Sequence, residues 1–522
     1  MYHINSREEK PNIGYMLQRV TDLMQRGIKV ANLDDLYSKF ESERDNIAKE
    51  ITAKYGIKNP NSSQQLTKYL ESMDNAEVYE TCCIDGKWTS NKDALGNLAL
   101  LGYEFASDIL DYRKAKKYAE SIKSIMDAKA SDGKIHPLVS LSKTNRINYS
   151  SPALMNIPKP LLWHIITPTK QGDILISADI KNQEPSILIN ILNADSLKPA
   201  LTADSGLYEY IFSKPFKATA PLHIFVTNDF KPGRISNSEL SEIPNMPPVY
   251  YTPSLPAVTT TYYNNEQVKF IDSTSMVVKP GTTVMPELPD TVLIQTMGGS
   301  QYHVPVIWED VDKKLLNKPN IIDITGDVQG LEIRCEGIER KEFKVAWNAM
   351  TYGASSFGVK QMCKHINGDI VYDYFSKIPE FKKYRSLCKK AADNGQQNIK
   401  TYFGTMLTAG ESNPNRLRRI LMDLPIQGTA ADILSLLIMH VDKETKLRGI
   451  EEGLKIYYTR HDEIIFEASK DLVEKLGEDG VMAEIRDLVE HQVDDWTPFK
   501  VEISKVEPSA VYIDDTGDDI FD

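Results

Sequence analysis

Apolar residues recur at three- and four-residue spacing through most of residues 12–130. MLQRVTDLMQR, LDDLYSKFESERDNIAKEITAKYG and NLALLGYEFASDILDYRKAKKYAESIKSIMDA carry this spacing, which predicts amphipathic helices. NPNSSQQLTKYL predicts a helix start, with a serine cap and Gln65 in the first turns. The character changes over 131–178. DGKIHP reads as a turn into a short strand, and GDILISADI as a strand whose nearly continuous apolar run predicts burial. From about 218 to 325 the chain is rich in Pro, Thr, Val and Tyr without a helical period, which predicts short strands in a small all-β module. Helices are expected to resume at about 331 and to run, with breaks, to about 446. In YYTRHDEIIFEAS (457–469), two β-branched and aromatic runs flank His461, Asp462 and Glu463, so a tight hairpin with both carboxylates at its tip is expected. One helix, DLVEKLGEDGVMAEIRDLVEHQVDD, and a final strand, FKVEISKVE, close the pattern. No internal repeat is visible.

With 522 residues the chain has room for several subdomains, and 41% hydrophobic residues supply a large core. No run of about 18 apolar residues predicts a membrane span, and the polar start MYHINSREEKPNIGYM does not read as a signal peptide. Cys82, Cys83, Cys335, Cys363 and Cys388 form no metal-ligand pattern and fit a reducing, cytoplasmic setting; Cys363 and His365 read as ordinary helix residues. The net charge of −12 argues mildly against a polyanionic partner, but a basic cleft can sit within an acidic surface. YRKAKKYAESIKS (112–124), FKKYRSLCKKAA (381–392) and NRLRRI (415–420) are local basic clusters, while DDTGDDIFD reads as a disordered acidic tail.

Adjacent carboxylates repel unless a cation lies between them. Asp179 ends the GDILISADI strand, with Glu184 five residues on at a helix entrance. Two strands that bring Asp179 and Asp462 to one point would make a two-cation site able to clamp the attacking and leaving oxygens of phosphoryl transfer. In IERKEFKVAWNAMTYGASSFGV (338–359), Arg340, Lys344, Asn348 and Tyr352 recur every fourth residue and share one broad helical face. Arg340 and Lys344 suit phosphate oxygens. Tyr352 and Gly353 end that face with a flat ring and bare backbone, suited to stacking near a base.

Together these stretches resemble family A DNA polymerases of the bacterial DNA polymerase I type. SADIKNQEPSIL is similar to motif A, RKEFKVAWNAMTYG to motif B and YTRHDEIIFE to motif C. SKTNRINYSSPALMNIP and LMDLPIQGTAADIL resemble the segments whose Arg146 and Gln427 contact the minor groove at the primer terminus. The resemblance implies an α+β right-hand fold, with an antiparallel palm sheet, helical fingers and thumb, and a β-rich insert between motifs A and B. It divides the chain into thumb and N-terminal helices (1–130), first palm part (131–217), insert (218–325), fingers (326–410) and second palm part with the acidic tail (411–522). It implies two Mg²⁺ ions, replaceable by Mn²⁺, on Asp179, Asp462 and the Ile180 carbonyl, with Glu463 auxiliary. Gln183, Glu184, Arg340, Lys344, Asn348 and Tyr352 would meet the dNTP, with Glu184 excluding a ribose 2′-hydroxyl and Lys344 able to protonate pyrophosphate. Arg146, Gln427, His461, Asp423 and Gly353 would meet primer–template DNA.

Departures from the family pattern are visible. Ile180 replaces an aromatic residue, Pro185 and Ser186 replace Leu-Arg, Asn348 stands where Phe or Tyr is usual, and Asp423 where asparagine is common. The position of Asn348 bears on sugar selectivity. Thumb-like helices begin almost at Met1, so no proofreading in cis is expected. The insert is expected to decorate the surface, dock a replication protein or clamp a strand. The expected enzyme is a monomer that extends DNA, phage- or plasmid-like by analogy and cytoplasmic, in the host cytoplasm if phage-encoded. A single-subunit RNA polymerase and a catalytically inert DNA-binding relative are the competing readings. Glu184 and HDE weigh against the first, and retention of Asp179, Lys344 and Asp462 against the second.

Overall fold

The structure, a computed structural model, describes residues 1–507 apart from 85–86, 101, 204–205, 213–215, 227, 229–231, 235–258, 265, 272–273, 283–286, 309, 336–339, 355–358, 360–371, 373–374 and 377. The acidic tail, Cys363 and His365 lie outside the described residues. The chain forms two units, Met1–Lys198 with Lys383–Asp522, and Pro199–Lys382.

In chain order the first unit contributes α1 (Ile13–Arg26), α2 (Leu33–Tyr55), α3 (Glu104–Ala128), α4 (Lys159–Ile165), β1 (Ile174–Ile180) and α5 (Gln183–Leu192). The second unit holds α6 (Leu207–Phe212), β2 (Phe216–Val226), β3 (Asn320–Cys335) and α7 (Arg340–Thr351). Helix α8 (Pro379–Asp393) leads back into the first unit, followed by α9 (Pro414–Leu447), β4 (Leu454–Arg460), β5 (Glu463–Ala468), α10 (Lys470–Leu476), α11 (Glu478–Val489) and β6 (Val501–Lys505).

The first unit is built on an antiparallel sheet in the order β4-β5-β1-β6. Its central strand β1 is buried along most of its length, as the apolar run predicts. The helical N-terminal part has its own core, in which Ile51, Leu66, Leu70, Phe105 and Ile109 pack together. Two of its helix ends follow the local chemistry of the sequence. Ser62 accepts a hydrogen bond from the Gln65 N–H, and the Gln65 side chain accepts one from the Asn59 N–H. Gly56 ends α2 in the left-handed region at φ +70°. In the basic stretch at 112–124, Arg113 donates to the buried Ser90 carbonyl and so packs structurally, whereas Lys117 is exposed.

Helix α9 is long and apolar enough to cross a membrane, yet 83% of that apolar window is buried inside the protein, so packing accounts for it. Pro425 lies within α9 and has no N–H for the Leu421 carbonyl. The Cys388 thiol of α8 donates to that carbonyl at 3.8 Å, and the Tyr384 hydroxyl to the Met422 carbonyl at 2.6 Å.

Among the described residues the second unit contains an eight-stranded sheet. Its outer strands run in the order Gly233–Arg234, Thr274–Val278, β2, β3; Thr259–Tyr263, Glu266–Ile271, Thr291–Thr296 and Gln301–Trp308 continue it, and the last pairs back onto β3. Leu222, Ile224, Met276, Val278, Ile322 and Ile324 form a separate core there, against which Trp308 packs. A β-carbon at Gly326 would lie 2.5 Å from the Trp308 ring, so only glycine fits.

Two boundaries differ from expectation. Helices do not resume at 331: β3 continues to Cys335 and α7 starts at Arg340. Leu331, Ile333 and Cys335 alternate with polar residues, a period of two. The helix expected over DLVEKLGEDGVMAEIRDLVEHQVDD is broken at Gly477, whose φ of +74° ends α10, and His491–Val493 is a strand.

Candidate active site

Strand β1 carries Asp179 to its C-terminal end, and the β4–β5 hairpin reaches the same point. Arg460 pairs with Glu463 across the hairpin, so the connecting turn consists of His461 and Asp462 alone. His461 adopts φ +49°, an uncommon conformation for a residue with a β-carbon. The Ile180 N–H donates to the Asp462 carbonyl at 3.1 Å, which ties the hairpin tip to the residue after Asp179.

Glu463 corrects the expectation that both carboxylates project from the tip. A two-residue turn makes it the first residue of β5, where it faces Asp179 across the sheet. Its side chain is 4% exposed, against 37% for Asp179. The Ser177 hydroxyl donates to Glu463 Oε1. The second edge of β1 places Glu502 opposite Asp179, exposed and 3.4 Å from Lys181.

The cation beside these carboxylates belongs to the protein. Lys159, the first residue of α4, places its Nζ 2.8 Å from Asp179 Oδ2 and 2.9 Å from Glu463 Oε1. Trp163, one helical turn on, has its ring centre 5.0 Å from the same nitrogen. Burial pulls the Lys159 pKa down, but Glu463 and Asp179 outweigh it and hold the ammonium above its ordinary value. Spacing arguments on the sequence missed Lys159, because 20 residues and a change of element separate it from Asp179. Ser177 was findable, since it lies two residues before Asp179 on the same strand face.

A second polar cluster adjoins the turn. Arg146 forms an ion pair with Glu184. Arg146 and His461 line one crevice with Ala430, Ala431, Leu434 and Thr459, and Tyr149 anchors its wall by donating to the Thr459 carbonyl at 3.0 Å. Asp423 lies nearby with a buried oxygen, Oδ1, that has no hydrogen-bond partner. Burial, and secondarily the charge of Glu184, push its pKa up to about 7, against the opposing pull of Arg146 and a hydrogen bond with Gln427. Gln183 is buried, and its amide nitrogen has no hydrogen-bond partner.

The remaining residues singled out in the sequence stand in the second unit. Lys344, Asn348 and Tyr352 are half-buried, while Phe343, Trp347 and Met350 fill the core face. Trp347 meets Tyr208 and Phe375 edge-on. Tyr352 follows the last residue of α7, with its N–H on the Asn348 carbonyl, and Gly353 turns the chain at φ +81°. Arg340 opens the helix; its side chain lies outside the described residues.

Among the described residues no three His, Cys, Asp or Glu side chains form a ready-made metal cage. The donors expected there are hard oxygens: the Asp179 and Asp462 carboxylates and the Ile180 carbonyl. Such a partial set suits Mg²⁺, which commonly takes one or two carboxylates and completes its shell with water and substrate phosphate. The ammonium seated on Asp179 marks a position that accepts a cation.

Comparison with known proteins agrees with this arrangement. The family model for DNA polymerase family A matches residues 30–221 and 327–506. A bacterial Ig-like domain (group 4) model matches residues 271–331, inside the β-sheet of the second unit. DNA polymerase I of Caldicellulosiruptor bescii is 29% identical over 182 residues, covering 32% of this chain and 21% of that protein. DNA polymerase I of Pseudomonas aeruginosa is 30% identical over 152 residues, covering 27% and 16%. The aligned stretch is thus a small part of each relative's length. The polymerase domain of Pol1 from M. smegmatis, solved with DNA primer-template and dNTP, shares the fold with a TM-score of 0.60 at 19% identity, covering 94% of this chain and 69% of that one. With the family model matching well over half of its residues, on both sides of the Ig-like segment, the chain belongs to DNA polymerase family A.

Proposed function

We propose that the chain is a template-directed DNA polymerase that adds dNTPs to a primer 3′-hydroxyl with release of pyrophosphate. The observation that carries this reading is that the hairpin turn holding Asp462 is tied by its carbonyl to the residue after Asp179, whose carboxylate already holds a cation. Asp179, Asp462 and the Ile180 carbonyl would hold two Mg²⁺ ions, which when bound lower the pKa of the attacking hydroxyl and neutralise charge on the phosphates. Glu463, buried on the neighbouring strand, is auxiliary. Arg340 and Lys344 bind the β- and γ-phosphates, and Lys344 is placed by family likeness to give a proton to pyrophosphate. Arg146, Gln427 and His461 contact the minor-groove side of the primer terminus. Glu184 blocks a ribose 2′-hydroxyl, and its ion pair with Arg146 fixes its carboxylate.

Extension of a labelled primer on a DNA template tests the reading directly. The wild-type chain should incorporate dNTPs far better than NTPs, only with a divalent ion present. Asp179→Ala or Asp462→Ala should reduce extension by roughly 10³-fold or more, the scale of losing an essential catalytic group, with primer–template binding retained. An active Asp462→Ala chain would remove the metal assignment. Preference for NTPs would favour an RNA polymerase, and binding without extension an inert relative.

A further inference from the structure

Asp179 and Glu463 are direct cross-strand neighbours, and like charges so placed destabilise a sheet unless something neutralises them. The chain brings its own neutralising group from a separate element. Lys159 donates to both carboxylates at once, at 2.8 and 2.9 Å. Its helix is fixed beneath it by Leu161, Leu162 and Ile165, all buried, so the ammonium is delivered by folding. The lysine side chain is nonetheless 30% exposed, so its head has a route outward. The Trp163 ring lies 5.0 Å away and offers a second face for a cation.

We propose that Lys159 is an internal counter-ion, seated on Asp179 and Glu463 until a divalent ion binds Asp179 and displaces it. This rests on the metal reading above. An ammonium and a divalent ion on the one Asp179 carboxylate repel each other, so a bound metal disfavours the Lys159 contact. Metal binding therefore costs two charge-assisted hydrogen bonds. By linkage, Lys159 weakens metal binding by the same factor that bound metal weakens the lysine's hold. The carboxylates are never left bare, and the metal seat fills readily only when DNA and nucleotide bring further oxygens. The freed ammonium can settle over Trp163.

Mn²⁺ binding to the whole chain, without DNA or nucleotide, tests this through loss of the free-ion electron paramagnetic resonance signal. The samples are wild type, Lys159→Met, Lys159→Arg and Asp179→Asn. Lys159→Met should bind Mn²⁺ roughly tenfold more tightly than wild type, within the usual range of coupling factors. Lys159→Arg should stay close to wild type. Lys159→Met should also melt earlier than wild type in chelator and recover with Mn²⁺. Unchanged or weaker Mn²⁺ affinity in Lys159→Met overturns the proposal, and the metal reading survives if Asp179→Asn still loses binding. An Asp179→Asn chain that binds Mn²⁺ like wild type removes both. Should Lys159→Met fail to fold, acetylation of the wild-type chain, followed at Lys159 by mass spectrometry, decides the matter. Faster labelling with Mn²⁺ supports displacement; unchanged or slower labelling overturns it.

Discussion

Asp423 shows how one atom's surroundings change the chemistry of a position. Its Oδ1 is buried without a donor, and Glu184 adds a like charge, so the folded chain favours the neutral acid at a pKa of about 7. In the unfolded chain the group returns to its ordinary value of 3.8. Between these values the folded state holds a proton that the unfolded state has lost. Stability from this group is therefore intact below the unfolded value and falls as pH rises towards 7. Asp423→Asn, which mimics the neutral acid, should stabilise the chain by about 1 kcal/mol or more at about pH 8. The gain should shrink towards zero near about pH 4. Urea denaturation of both chains across this range measures it, and a gain independent of pH would contradict the role given to burial. HDE marks three titratable residues, but only the turn length decides that Asp462 sits at the tip and Glu463 in the sheet.

At the scale of elements, legibility followed local chemistry. Ser62 and Gly56 are caps whose residue types state their purpose, and GDILISADI announces a buried strand through its apolar run. Gly477 and the extension of β3 to Cys335 were missed because a helical period on each side masked a break, and a short alternation was outweighed by the helix that follows. Lys159 was illegible because its function depends on α4 and β1 meeting in space. Gly428 belongs to the same class. It reads as one letter of IQGTAAD, yet a β-carbon there would lie 2.4 Å from Leu407 Cδ1 and 2.8 Å from Thr401 Cγ2, both side chains buried. Thr401 is further fixed by its hydroxyl on Asp432, which also accepts from Thr405 at 2.9 Å. Replacing a mid-helix glycine with alanine ordinarily gains about 1 kcal/mol. Overpacking costs about 1–3 kcal/mol, and with two buried neighbours the upper part of that range applies. Gly428→Ala should therefore lower the unfolding free energy measured by urea denaturation by a net amount of about 1–2 kcal/mol. A more stable variant would mean that Leu407 swings aside freely.

For the whole molecule the question is what the sheet of the second unit, part of which matches a bacterial Ig-like domain model, adds to a family A chain. Its entry and exit strands answer a first question, whether it can be removed. β2 and β3 are antiparallel partners, with Phe216 opposite Ile333 and Val226 opposite Asn320. The two ends of the module therefore adjoin, about 5 Å apart for paired strands, and a short Gly/Ser linker can replace everything between them. The sheet has its own core, built from Leu222, Ile224, Met276, Val278, Ile322 and Ile324, apart from the strand order that includes the strand ending near Asp179. Replacing residues 217–332 with such a linker should leave the single-turnover rate within about twofold of the full chain, a change under about 0.5 kcal/mol in barrier height. If the module grips template, displaced strand or a replication protein, the number of nucleotides added per binding event should fall, and added salt should deepen the loss if the grip is electrostatic. Rapid-quench kinetics read the first quantity, and extension against a heparin trap the second, with and without other replication proteins. Equal processivity in every condition would leave the module no part in holding DNA. A collapsed single-turnover rate would instead assign it to the support of α7, the helix that carries Lys344.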